Sequence, residues 1–230
     1  MLNQRQSFSV SSTADFMYKV YAWMAFGLGL SALVASVVAQ NPAAIKALVL
    51  SPLRWVVFLV QIGIAMALPS MLNRINYATC VVLFSTYAAL MGITLSTLLL
   101  VYTMESIYLA LAITAGTFAT MALYGYFTKT DLTSLGSFLT MGLFGLIIAM
   151  FANMWFQSPV GQYYISLIAV GIFTLLTAYD VQNIKRIAQE TMMTDGDGRR
   201  KVAIVCSLIL YLDFINLFIH LLQLFGKRGD

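Results

Sequence analysis

Apolar residues run through this chain in long, nearly unbroken stretches, separated by short polar or proline-bearing breaks. A helix needs about 20 mostly apolar residues to cross the roughly 30 Å hydrocarbon core of a bilayer. Seven stretches meet that length: Phe16–Ala39, Arg54–Leu72, Tyr77–Tyr102, Ser106–Phe127, Leu135–Phe156, Tyr163–Val181 and Val202–Phe225. An open sheet is excluded, because lipid leaves its edge groups without partners. The runs are continuous and do not alternate, which argues against a β-barrel. The pattern therefore predicts an all-α membrane protein, a bundle of seven transmembrane helices. It is read as one domain over 16–230, preceded by a polar N-terminus over 1–15 that carries only Arg5 and Asp15 as charges. The first apolar run is too long for a signal-peptide core, so it is read as a retained helix.

The breaks are short. Asn41-Pro42 and Ser51-Pro52 bracket the first, Asn73–Asn76 forms a tight turn, Thr128–Ser134 is polar, and Gln157-Ser158-Pro159 is another turn. Only Gln182–Lys201 is sizeable, and it reads as a solvated loop. Its run Thr194-Asp195-Gly196-Asp197-Gly198-Arg199-Arg200-Lys201 has too few acids, wrongly spaced, for a calcium loop.

Composition agrees: 60% of residues are hydrophobic and 10% charged, against about half and a quarter in soluble domains. The net charge of +4 sits mostly between the apolar runs, which suits contact with anionic lipid and not nucleic acid. Cys80 and Cys206 lie inside apolar runs and read as small buried hydrophobes, with no disulfide framework or metal spacing. No cofactor motif is present. Lys and Arg set the orientation. With the N-terminus in the cytoplasm, the inner set is Arg5, Lys19, Arg74, Lys129, Lys185, Arg186, Arg199, Arg200 and Lys201. The outer set is Lys46, Arg54, Lys227 and Arg228. The excess favours a cytoplasmic N-terminus and, after seven crossings, an outer C-terminus. A re-entrant last segment would instead return Lys227 and Arg228 to the inside. Gly27, Gly29, the pairs Ala112/Gly116 and Ala115/Ala119, and Gly142/Gly145 are candidates for close helix packing.

The informative residues are acids inside spans. Asp180 lies near the inner end of the sixth span and Asp213 about midway along the seventh. A carboxylate at mid-span costs roughly 2.5–3.5 kcal/mol on insertion scales, so it faces the bundle interior and marks an ion, proton or substrate path by default. The alternative is a structural acid bonded to a neighbouring helix. Asn216 and His220 follow Asp213 at i+3 and i+7, on one helix face. With Thr177 and Asn183 they could line a polar seam. Arg74, in the turn after the second span, is the natural counter-charge for a carboxylate, or simply an inner-loop cation. Two carboxylates brought together where water is scarce would share a proton. Such a pair would act as a pH switch, and when ionised would offer oxygens to a hard cation such as Ca²⁺.

At these residues the chain resembles the Bax inhibitor-1 family, and most of all its bacterial members. The matching segments are Leu123-Tyr124-Gly125-Tyr126 with Thr128-Lys129 and Asp131-Leu132; Leu176-Thr177-Ala178-Tyr179-Asp180 with Gln182; and Leu210-Tyr211-Leu212-Asp213-Phe214-Ile215-Asn216-Leu217-Phe218. The resemblance implies a seven-helix bundle with the last helix central and a pH-sensitive calcium leak. It also implies that Asp180 and Asp213 act as a proton-sensing pair, with Arg74 as partner. Some relatives place an acid in the second helix, where this chain has Gln61. Bacterial membership implies the inner membrane. Restraint of membrane proteases and cell-death control are also associated with the family. They give the competing reading of a regulator that binds other membrane proteins. A third reading is enzymatic. Tyr179-Asp180 and a second aspartate on the next helix are similar to presenilin-type intramembrane proteases. However, Asp213 sits in Leu-Tyr-Leu-Asp, not Gly-x-Gly-Asp, and no Pro-Ala-Leu segment follows. The expectation is therefore a protein that is not an enzyme.

Overall fold

The computed structural model describes residues 2–191 and 196–229. Eight helices follow one another: α1 (Leu2–Ala39), α2 (Pro42–Leu50), α3 (Leu53–Ser70), α4 (Tyr77–Val101), α5 (Met104–Phe127), α6 (Thr133–Phe156), α7 (Pro159–Glu190) and α8 (Gly196–Phe225). Seven of them are long and apolar enough to cross a membrane, all but α2. The chain is an all-α membrane protein with the seven expected spans.

Three boundaries differ from the sequence expectation, each for a local reason. The first connection holds the short helix α2, since Pro42 is suited to the first helical turn. Helix α1 begins within the polar N-terminus, at Leu2. The expected loop 182–201 is mostly helix: α7 continues to Glu190 and α8 begins at Gly196. Val181, Ile184 and Ala188 are all buried, so an apolar stripe at helical spacing carries α7 on past its membrane-length run. Thr194 and Asp195 of that run lie outside the described residues.

The chain divides into two compact units. The first comprises 1–101, 187–211 and Gly229; the second comprises 102–186, 212–228 and Asp230. Both draw on α8, which gives residues up to Tyr211 to the first and from Leu212 to the second. It is also the most buried of the candidate spans, at 61% of its apolar window.

In the first unit, α1 and α4 approach closely at Gly92. A Cβ there would meet the Ser31 backbone oxygen of α1. Ser31 Oγ lies 2.7 Å from both the Ala88 carbonyl and the Tyr211 hydroxyl. Ser207 Oγ donates to the Val20 carbonyl at 2.9 Å. Gln61 is buried and donates to Thr94 Oγ1 at 3.3 Å. Cys80 and Cys206 are both buried, as expected.

In the second unit, α6, α7 and α8 share an apolar cluster of Leu139, Leu146, Ile165, Ala169, Phe173, Leu176, Leu217 and Leu221. The tail after α8 pairs with the α4–α5 connection. Thr103 N–H donates to the Lys227 carbonyl at 3.1 Å, and Tyr102 and Arg228 form an antiparallel bridge. Of the glycines proposed for helix packing, Gly27 meets Phe84 and Tyr211 and Gly142 meets Ile172. Gly29, Gly116 and Gly145 have nothing within 4 Å.

Candidate functional site

The motif around Asp180 is held by packing that only small residues permit. Gly125 of α5 lies so close to Ala178 that an added Cβ would collide with its carbonyl. Gly136 of α6 lies against the Tyr179 ring in the same way. Two glycines thus seat the segment immediately before Asp180.

The following turn of α7 clamps the α5–α6 connection. Gln182 Oε1 accepts from Leu132 N–H at 2.9 Å, and Gln182 Nε2 donates to the Thr130 carbonyl at 2.8 Å. Lys185 Nζ donates to the Tyr126 carbonyl at 2.7 Å and lies 4.6 Å over the Tyr126 ring. Asp131 takes hydrogen bonds from the Thr133 hydroxyl at 2.6 Å and the Thr133 N–H at 2.9 Å. Those bonds hold its carboxyl below the ordinary range. Two of the family segments are therefore one structural device, because 123–132 and 176–185 grip each other.

Helix α8 brings Asp213 to this place. Asp213 is 5% exposed, and its carboxyl group meets that of Asp180 at hydrogen-bonding distance. Among the described residues, Asp213 Oδ2 is the one buried side-chain oxygen without a donor. Ionised carboxylates only accept hydrogen bonds. A proton held on either acid turns this contact of two acceptors into a hydrogen bond.

The other residues expected in the seam have separate surroundings. Asn216 donates to its own helix, at the Leu212 carbonyl, 2.9 Å away. Thr177 likewise donates to the Phe173 carbonyl at 2.8 Å. His220 is buried; its Nδ1 lies 3.4 Å from Ser166 Oγ, and its ring stacks on Phe173 at 6.2 Å. Arg74 lies exposed in the turn after α3, in the first unit. Lys19 pairs with Asp15 and Arg200 with Asp197.

Sequence reasoning missed a second polar group, at the start of α7 and the end of α8. Gln223 Oε1 accepts from Gln162 Nε2 at 2.9 Å and from Ser166 Oγ at 2.8 Å. Asn153 of α6 donates to Gln162 Oε1 at 3.2 Å. The available signal was spacing: Gln162 and Ser166 are four apart, and Gln223 follows His220 by three. It also missed the anchoring of the cations before the last span. Arg199 donates to Ser12 Oγ and the Ser12 carbonyl at 2.7 and 2.6 Å. Lys201 Nζ donates to the carbonyls of Leu72 and Ile75 at 2.9 and 3.1 Å.

A polytopic helical membrane protein with two carboxyl groups facing each other in its interior is the class these observations define. The family described as inhibitor of apoptosis-promoting Bax1 matches residues 13–230, and the chain belongs to this Bax inhibitor-1 family. A protein of Borreliella burgdorferi is 45% identical over 217 residues, covering 94% of this chain and 93% of its own. The inner membrane protein YbhL of Escherichia coli K12 is 40% identical over 215 residues, covering 93% and 92%. A protein of Deinococcus radiodurans is 36% identical over 223 residues, covering 97% and 95%.

Proposed function

We propose that this protein is a pH-sensitive cation leak or slow transporter, with Ca²⁺ as permeant ion, gated by a proton shared between Asp180 and Asp213. The supporting observation is the donorless Asp213 Oδ2 in the interior, facing a second carboxyl. With one proton between them, the two acids bond to each other and carry a single negative charge. Without it, they repel and expose oxygens to a cation. A resident Ca²⁺ takes six to eight oxygen ligands. Among the described residues no group of three His, Cys, Asp or Glu side chains comes together. The pair therefore suits passage better than storage. The resemblance to YbhL favours the bacterial inner membrane, with the N-terminus in the cytoplasm by the distribution of Lys and Arg.

Purified protein in calcium-free liposomes is expected to admit Ca²⁺ at a rate that changes with external pH, and Asp213→Asn is expected to flatten that dependence. An unchanged profile in the variant would remove the shared proton from the mechanism. Arg74→Gln asks whether the arginine takes part, and a retained pH response sets it aside.

The name of the family supports a second reading, a membrane-embedded regulator that binds other membrane proteins. In-membrane crosslinking in native cells separates the two. A stable partner with no flux in liposomes favours the regulator; flux with no partner favours the leak.

A further inference from the structure

The polar groups of the second unit do not form a continuous seam. Helices α7 and α8 run side by side in opposite directions, in a register fixed by three contacts. Asp180 meets Asp213, Phe173 stacks on His220, and Ser166 bonds to Gln223. In that register Leu176 and Leu217 fall between the acids and the Phe173–His220 stack. Both are buried in the apolar cluster with Phe173, which Leu139 and Leu146 of α6 complete. The two side chains that could bridge the gap with polar atoms do not. Thr177 donates its hydroxyl to the Phe173 carbonyl and Asn216 donates an amide N–H to the Leu212 carbonyl, each within its own helix. Seven residues separate Asp180 from Phe173, which is about 10 Å of helix. The acid pair and the amide–hydroxyl group around Gln223 are thus two polar stations divided by a dry layer.

We propose that this layer is a hydrophobic gate against hydrated cations and that Phe173 is its principal barrier residue. The inference rests on the leak reading and adds to it where the path is closed. An apolar constriction this thick excludes water, and an ion cannot shed its hydration shell without replacement ligands. A polar side chain at 173 supplies such a ligand and wets the layer. Another apolar side chain there does not.

The first test is Ca²⁺ flux into liposomes at the pH where the wild-type chain leaks least. Phe173→Asn is expected to raise flux at least tenfold, and Phe173→Leu to stay within twofold of wild type. A correctly folded Phe173→Asn protein with wild-type flux overturns the proposal, as does an equal increase in Phe173→Leu. Leu217→Asn is the second opening variant if Phe173→Asn does not fold.

An independent readout uses Thr177→Cys in a background with Cys80→Ala and Cys206→Ala. A small, membrane-impermeant methanethiosulfonate is added on the Gln162 side, and adducts are counted by mass. The thiol is expected to stay unmodified behind Phe173 and to react in Phe173→Asn. Reaction in both backgrounds, or in neither, overturns the gate. The two readings fail separately. If Asp213→Asn keeps the wild-type pH profile while Phe173→Asn still admits reagent, the shared-proton mechanism falls and the gate stands. If Asp213→Asn flattens the profile while the labelling pattern is absent, the gate falls alone.

Discussion

At the scale of single residues, Asp180 and Asp213 stood out in the sequence because an acid inside an apolar run is costly. Their meeting did not, since contact between helices depends on packing that no spacing rule encodes. Gly125 shows what was missing. It sits in an apolar span rich in Gly and Ala, and only the structure separates it from Gly116, which has nothing near it. Gly125→Ala should therefore lower stability by about 1–3 kcal/mol, as overpacking does, and shift the midpoint of the pH response, because the Ala178-Tyr179-Asp180 segment must move. Gly116→Ala should be neutral or stabilising by up to about 1 kcal/mol. Thermal unfolding in detergent measures both.

Asp131 gives a second residue-scale outcome. The Thr133 hydroxyl, and then the Thr133 N–H, hold the Asp131 carboxyl below the ordinary value, which is about 3.9 for a free aspartate. A group depressed in the folded state adds stability that is fully present above that value. The contribution fades as pH falls through the lower folded value. Thr133→Ala should move the Asp131 titration midpoint upward, read by carbon NMR of the carboxyl.

At the scale of elements, the apolar runs located every span, because bilayer thickness imposes a length that sequence displays directly. The same criterion misjudged 182–201. Helix α7 has 32 residues and α8 has 30, or about 48 and 45 Å, well beyond the roughly 30 Å of hydrocarbon. Their extensions are polar with an apolar stripe, so they look like loop to a measure of mean hydropathy and like helix to a measure of period. Three of the cations there, read as solvated, are anchored: Lys185, Arg199 and Lys201. Lys201 holds two carbonyls at the end of α3 and its turn, Leu72 and Ile75. Hydrogen bonds from a charged donor contribute about 1.5–3 kcal/mol. Lys201→Met should lose an amount in that range in chemical unfolding and speed hydrogen exchange of the amides in 71–76. A variant as stable and as protected as the wild type would mean these bonds are exchanged for water at no cost.

For the whole molecule, the sequence left one choice about topology: a last helix that crosses, or one that turns back and returns Lys227 and Arg228 to the inner side. The charge excess was compatible with both, and the length of the last apolar run favoured the first. The pairing of the tail with the α4–α5 connection is the arrangement a crossing last helix requires. That connection follows the third span and so lies at the end of the helices away from the N-terminus. Lys227 and Arg228 join it through the Thr103 N–H bond and the bridge to Tyr102. Ser106 Oγ adds a third tie, accepting from Lys227 N–H at 2.9 Å. A backbone pairing of this kind fixes a side more strongly than two exposed cations do, because charge bias acts on insertion and not on the finished fold. In right-side-out vesicles from cells expressing single-cysteine variants, made in the Cys80→Ala, Cys206→Ala background, Gly229→Cys and Glu105→Cys should react with an impermeant thiol reagent. Asn73→Cys should react only after the vesicles are opened. Protection of Gly229→Cys together with Asn73→Cys would place the tail on the inner side and require the last helix to turn back.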